Sequence, residues 1–307
     1  MLCAFPLLAG AADRRAVLVH DGIERGYLLH VPASVDAARP LPLVVVLHGG
    51  GGTGARMVRL TSGGFNALAD RDGFLVAYPD GLEKHWNDGR AGTRWRAHRD
   101  GVDDVGFLAA LIDRLASEWP VDARRVYVTG ASNGGMMAIR MGCELADRIA
   151  AIAPVIGAMP ETLAPHCAPS APLAVLFMNG VRDPLVPWQG GEIRFGRKNI
   201  GTVLSVAESV RFWVTHNRCA VTPVVTDEPD RDPRDGTRVR RESYASCRDG
   251  SEVLLYAIEG GGHTWPGGYQ YRPERVIGKG SRDLDGAEVI WNFFKRQAKP
   301  QTGLVLP

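Results

Sequence analysis

The 307-residue chain is poor in most features that mark a specialised architecture. It has no Cys-x-x-Cys pair, and its eight histidines do not recur at ligand spacing, which argues against a zinc site or any other bound metal. No apolar run approaches the roughly 20 residues needed to cross a bilayer. Its 36 basic residues face 34 acidic ones, and a net charge of +2 gives no reason to expect a nucleic-acid partner. Arg238, Arg240 and Arg241 cluster locally, but beside Asp230, Asp232 and Asp235, as in a solvated hairpin. No Pro/Ser-rich linker, composition break or internal repeat divides the chain, so a single domain is expected over 13–307. Nothing in the composition assigns an oligomeric state.

Residues 1–12 are apolar and end in Ala9-Gly10-Ala11. They resemble the core and cleavage site of a secretory signal without its positive n-region, and are read as a truncated signal segment. The cysteines agree with export. Apart from Cys3 there are four, Cys143, Cys167, Cys219 and Cys247, which allow three connectivities. Cys143–Cys167 with Cys219–Cys247 is favoured: the first would tie a helix to the loop before the next strand, the second a helix end to a late strand. Two such bonds imply a secreted or periplasmic protein.

What is present alternates. Leu43 to Leu47 is a continuous apolar run, as expected of a strand buried on both faces of a parallel sheet. Further strands are expected at Arg25–Val31, Phe74–Tyr78, Val126–Thr129, Ile149–Ile156, Leu173–Met178 and Val253–Ile258. Helices are expected over Arg56–Asp70, Asp103–Trp119, the stretch after residue 135, Val203–Thr215 and Gly286–Arg296. Pro223 to Cys247 reads as a polar hairpin-like insert, and Trp265 to Asp285 as a long loop. Strands alternating with helices predict an α/β fold, a mostly parallel central sheet with helices on both faces.

The most informative stretch is Gly130-Ala131-Ser132-Asn133-Gly134-Gly135. A β-branched run leads into Gly-x-Ser-x-Gly and a helical pattern follows, the strand–turn–helix context that exposes a nucleophilic serine. A serine hydroxyl needs a base to take its proton and an acid to orient that base. Of the three histidines after Ser132, only His263 stands in a glycine-rich loop just past a late strand, Gly260-Gly261-Gly262-His263-Thr264-Trp265-Pro266-Gly267. The acid should follow a strand between the two, which points to Asp183 in Asn179-Gly180-Val181-Arg182-Asp183-Pro184. Asp283 and Asp285 are alternatives that read more simply as capping residues of the last helix. The oxyanion hole needs two backbone amides. Asn133 offers one, and the turn His48-Gly49-Gly50-Gly51-Gly52 offers the other through Gly50 or, second, Gly51. His48 itself precedes the nucleophile and reads as a structural hydrogen-bonder. Trp86, Trp188 and Trp265 adjoin these loops as candidate substrate walls.

Together these motifs resemble the polyhydroxybutyrate depolymerase / feruloyl esterase family of secreted α/β-hydrolases. The likeness includes Tyr78-Pro79-Asp80-Gly81, Trp86-Asn87-Asp88-Gly89-Arg90, Asp103-Asp104-Val105-Gly106-Phe107 and Asp183-Pro184-Leu185-Val186-Pro187-Trp188, and spans about Tyr27 to Phe294. It implies a single α/β-hydrolase domain without cofactor and a Ser132–His263–Asp183 triad. The expected substrate is a hydroxycinnamoyl ester or an aliphatic or aromatic polyester; peptide or amide hydrolysis on the same fold is the alternative. Relatives typically end the acid strand His-Gly-Thr where this chain has Asn179-Gly180-Val181. Many depolymerases also carry a linker and a polymer-binding domain. Neither is present in these 307 residues, so soluble, amorphous or small esters are expected over crystalline polymer.

Overall fold

The apolar runs of the sequence form the middle of one ten-stranded sheet. The computed structural model describes residues 11–300 apart from 34, 36–38 and 197, so all but the last two residues of the expected signal segment lie outside it. The strands are β1 (Ala12–His20), β2 (Ile23–Val31), β3 (Leu41–Leu47), β4 (Leu75–Pro79), β5 (Val121–Ala131), β6 (Ala151–Val155), β7 (Ala174–Gly180), β8 (Gly191–Phe195), β9 (Lys198–Val203), β10 (Val224–Asp227), β11 (Arg238–Tyr244) and β12 (Val253–Glu259). The helices are α1 (Gly54–Leu60), α2 (Gly64–Asp72), α3 (Arg96–Arg99), α4 (Asp104–Glu118), α5 (Asn133–Glu144), α6 (Val206–His216), α7 (Glu274–Ile277) and α8 (Gly286–Phe294).

Sheet order is β1-β2-β4-β3-β5-β6-β7-β12-β11-β10. The six strands from β4 to β12 in that order are parallel, with antiparallel pairs at both edges. Alternate side chains of β3 serve opposite layers. Leu43, Val45 and Leu47 pack in the layer of α4, α5 and α6, with Phe107, Met137 and Trp213. Val44 and Val46 pack in the layer of α1, α2 and α8, with Met57, Phe65 and Trp291.

Two elements depart from the sequence reading. The helix expected over 56–70 is two helices, because Ser62 and Gly63 adopt left-handed backbone (φ 53° and 72°) between α1 and α2. Val203 ends a strand rather than starting a helix: Ser205 and Glu208 form a capping box that starts α6 at Val206. The β8–β9 hairpin was not expected from sequence. Its Ile193 and Val203 pack on Met136, in the helix that follows Ser132. The insert at 223–247 does form a hairpin, β10–β11, which extends the sheet. The favoured disulfides, Cys143–Cys167 and Cys219–Cys247, are both formed.

Candidate active site

Parallel strands deliver the loops after β3, β5, β6, β7 and β12 to one sheet edge, and the sequence-predicted residues gather there. Ser132 joins β5 to α5 with φ 55° and ψ −117°, a backbone that a non-glycine residue holds only under constraint. Its amide donates to Val155 O at 2.9 Å, pinning the turn to the end of β6. The tightness of the turn explains the glycines. A Cβ on Gly134 would stand 2.6 Å from His48 O and closer still to Leu47 O. Ser132 is half-buried, and its hydroxyl has no hydrogen-bond partner among the described residues.

Asp183 and His263 are joined directly. Nδ1 of His263 donates to Oδ2 of Asp183 at 2.7 Å, with both residues buried. The other carboxylate oxygen accepts from the amides of Leu185 (2.8 Å) and Val186 (2.9 Å), which fixes the carboxylate in its loop. A carboxylate can only accept, so Nδ1 carries a proton, and in the neutral imidazole the lone pair is therefore on Nε2. Nε2 has no partner among the described residues. Tyr271 Oη donates to the His263 carbonyl at 3.3 Å, and burial pushes its phenol up to about 12. Asn179 donates from Nδ2 to Gly157 O at 3.1 Å and so ties the ends of β6 and β7 together.

The glycine turn separates the two oxyanion candidates. The Gly51 amide already donates to Lys84 O at 2.8 Å, which corrects its reading as an available donor. The amides of Gly50 and Asn133 have no acceptor among the described residues. The two residues adjoin, since a Cβ on Gly50 would stand 3.8 Å from Asn133 Cβ. His48 is structural: Nε2 accepts from Gly81 N at 2.9 Å, Nδ1 donates to Gly49 O at 2.8 Å, and burial lowers its pKa to about 4.

The tryptophans are corrected. Trp86 is wholly buried, its Nε1 donating to His48 O at 2.9 Å, so it braces the turn and offers no wall to a substrate. Trp265 is buried edge-on against Phe65 in the α1/α2/α8 layer. Of the three candidates, Trp188 alone is half-exposed. Asp285 caps α8 as expected, but Asp283 does not; its Oδ1 accepts from the amides of Arg231 and Asp232 and anchors the β10–β11 connection.

Two groups at the site were missed from sequence. Asp88 is fully buried and accepts from Arg90, from His98 Nε2 (2.9 Å) and from Asn133 Nδ2 (2.6 Å). Burial alone would raise its carboxyl, but Arg90 and His98 hold it well below the ordinary carboxylate range. The His85 ring lies against Gly50 and stacks on Trp95 with centroids 3.9 Å apart. Among the described residues, the only candidate metal cluster is His20, Asp21 and Asp103, at the β1–β2 turn and the start of α4. There Asp103 is explained by its cap on α4.

The family model described as esterase PHB depolymerase matches residues 25–179. The chain belongs to that family. It is a carboxylic-ester hydrolase with the α/β-hydrolase fold. The Nocardia uniformis subsp. tsuyamanensis protein named "Putative esterase NocK" is 34% identical over 94% of this chain and 84% of its own length. Feruloyl esterase B of Piromyces equi is 29% identical over 78% of this chain, which spans only 42% of that larger protein. Among solved structures, the acetyl xylan esterase from Aspergillus awamori superposes with a TM-score of 0.57 at 16% identity, over 82% of this chain and 94% of that one, a likeness of fold.

Proposed function

We propose that this esterase works through an acyl-enzyme on Ser132. His263 Nε2 takes the hydroxyl proton as Oγ attacks the ester carbonyl, and Asp183 holds the imidazolium that forms. The amides of Gly50 and Asn133 stabilise the oxyanion of the tetrahedral intermediate. His263 then gives its proton to the leaving alcohol, and the same groups activate water to release the acid. The observation that carries the reading is the buried 2.7 Å Asp183–His263 bond at the same sheet edge as a serine held at φ 55°. Ser132→Ala should abolish hydrolysis of p-nitrophenyl butyrate while leaving the circular dichroism spectrum unchanged. Turnover at the parental rate in that variant would overturn the mechanism.

The acyl group favoured is a hydroxycinnamoyl unit esterified to plant polysaccharide, supported by relatives named feruloyl esterases. The matched family's own description favours polyhydroxybutyrate-type polyester as the second reading. A panel of methyl ferulate, short p-nitrophenyl esters, polyhydroxybutyrate film and a peptide amide separates these, with methyl ferulate expected to be cleaved and the amide not. The two disulfides support a working place outside the reducing cytoplasm, secreted or periplasmic.

A further inference from the structure

A cavity of about 530 Å³ opens beside the loops that carry Asp183 and His263, within the range of small-ligand sites. Its wall includes Arg182, Thr237, Arg238, Glu259, Gly260 and Lys279. Three of these are cations, and two are uncommitted. Arg238 pairs with Asp230 at 2.8 Å, but the side chains of Arg182 and Lys279 have no partner among the described residues. Of the nearby acids, Asp232 pairs with Arg234 and Arg282, while Asp235 accepts from Thr237 and from the Arg282 amide and makes no ion pair with Arg182 or Lys279. Within the wall itself, Arg182 and Lys279 are thus the cations that no ion pair holds.

Both free cations are fixed to the His263 loop by their backbones. Arg182 N donates to Gly261 O at 2.9 Å, and Lys279 O accepts from Gly262 N at 2.9 Å and Thr264 Oγ1 at 3.1 Å. An occupant held by these two residues is therefore held in register with His263. Glu259 stands in the same wall, only loosely paired with Arg240 at 3.8 Å. It disfavours a dianion and offers acceptor oxygens to hydroxyl groups. Two cations, one carboxylate and a largely polar wall suit a monoanionic, hydroxyl-rich ligand.

We propose that this cavity binds a sugar carboxylate, a uronic acid unit of the saccharide that bears the scissile ester. Its role as a substrate subsite rests on the ester-hydrolase reading, whereas binding itself does not. The test is calorimetric titration of the Ser132→Ala protein with D-glucuronate, D-xylose and inorganic phosphate. Glucuronate should bind, more weakly as salt is raised, with xylose undetected and phosphate weaker. Arg182→Gln with Lys279→Gln in that background should weaken glucuronate about tenfold or more. In the active protein the same double variant should keep its p-nitrophenyl butyrate turnover. For feruloylated oligosaccharides carrying a uronic acid, KM should rise with kcat unchanged. Absence of glucuronate binding, binding unchanged in the double variant, or phosphate as tight as glucuronate would each overturn the proposal. Residual turnover in Ser132→Ala would count against the esterase mechanism alone.

Discussion

Asn133 serves the proposed site twice. Its main-chain amide is the proposed oxyanion donor, and its side chain grips the Trp86 backbone through Oδ1 and Nδ2 at 2.9 Å each while also bonding Asp88. Asp88 is thus a positioning residue behind the proposed donor; it is the counter-charge of buried Arg90 and the acceptor for His98 Nε2. Asp88→Ala should cost about 3–5 kcal/mol of stability, because a buried guanidinium is left unpaired. Urea denaturation checks this; an Ala variant as stable as the parent would contradict it. The tryptophans mark the limit of residue-level reading. An aromatic side chain near a catalytic loop is equally useful as a wall or as a brace, and the peptide N–H and C=O groups that select the brace for Trp86 leave no mark in the sequence.

At the scale of elements, β3, β5 and α5 meet so closely that the Gly134 position admits no side chain. Gly134→Ala would be neutral for helix backbone but must push the Leu47 and His48 carbonyls aside. About 2 kcal/mol of stability should be lost, along with esterase activity, and a thermal melt beside an ester assay reads both. The parallel strands are legible in sequence because burial on two faces demands unbroken apolar runs, as in β3, and the pairing of Asp183 with His263 follows from chain order and strand ends. The rest is less visible for definable reasons. β8 buries only Ile193 among exposed neighbours, so no periodic signal rises above the loop around it. β1 alternates between half-buried and exposed residues at the sheet edge, and its charged residues resemble a surface segment. Ser62 and Gly63 break a helical pattern that apolar spacing alone would carry through.

Across the whole molecule, the disulfides fasten one helical layer. Cys143–Cys167 closes a loop of 24 residues from α5 to the approach of β7, and Cys219–Cys247 one of 28 from the end of α6 to the segment before β12. Replacing Cys143 and Cys167 by serine should cost about 3 kcal/mol, seen as a lower urea midpoint, with the parent falling towards the same value under reductant. The sheet order has a further consequence. The proposed nucleophile, acid and base follow β5, β7 and β12, and the oxyanion turn follows β3, so the groups come together only when strands from opposite ends of the sequence have docked side by side. A partial chain ending before residue 263 lacks the proposed base, whatever else of the site it has formed. Catalysis is therefore an all-or-none report that assembly has finished, and a half-made or misfolded copy stays chemically silent.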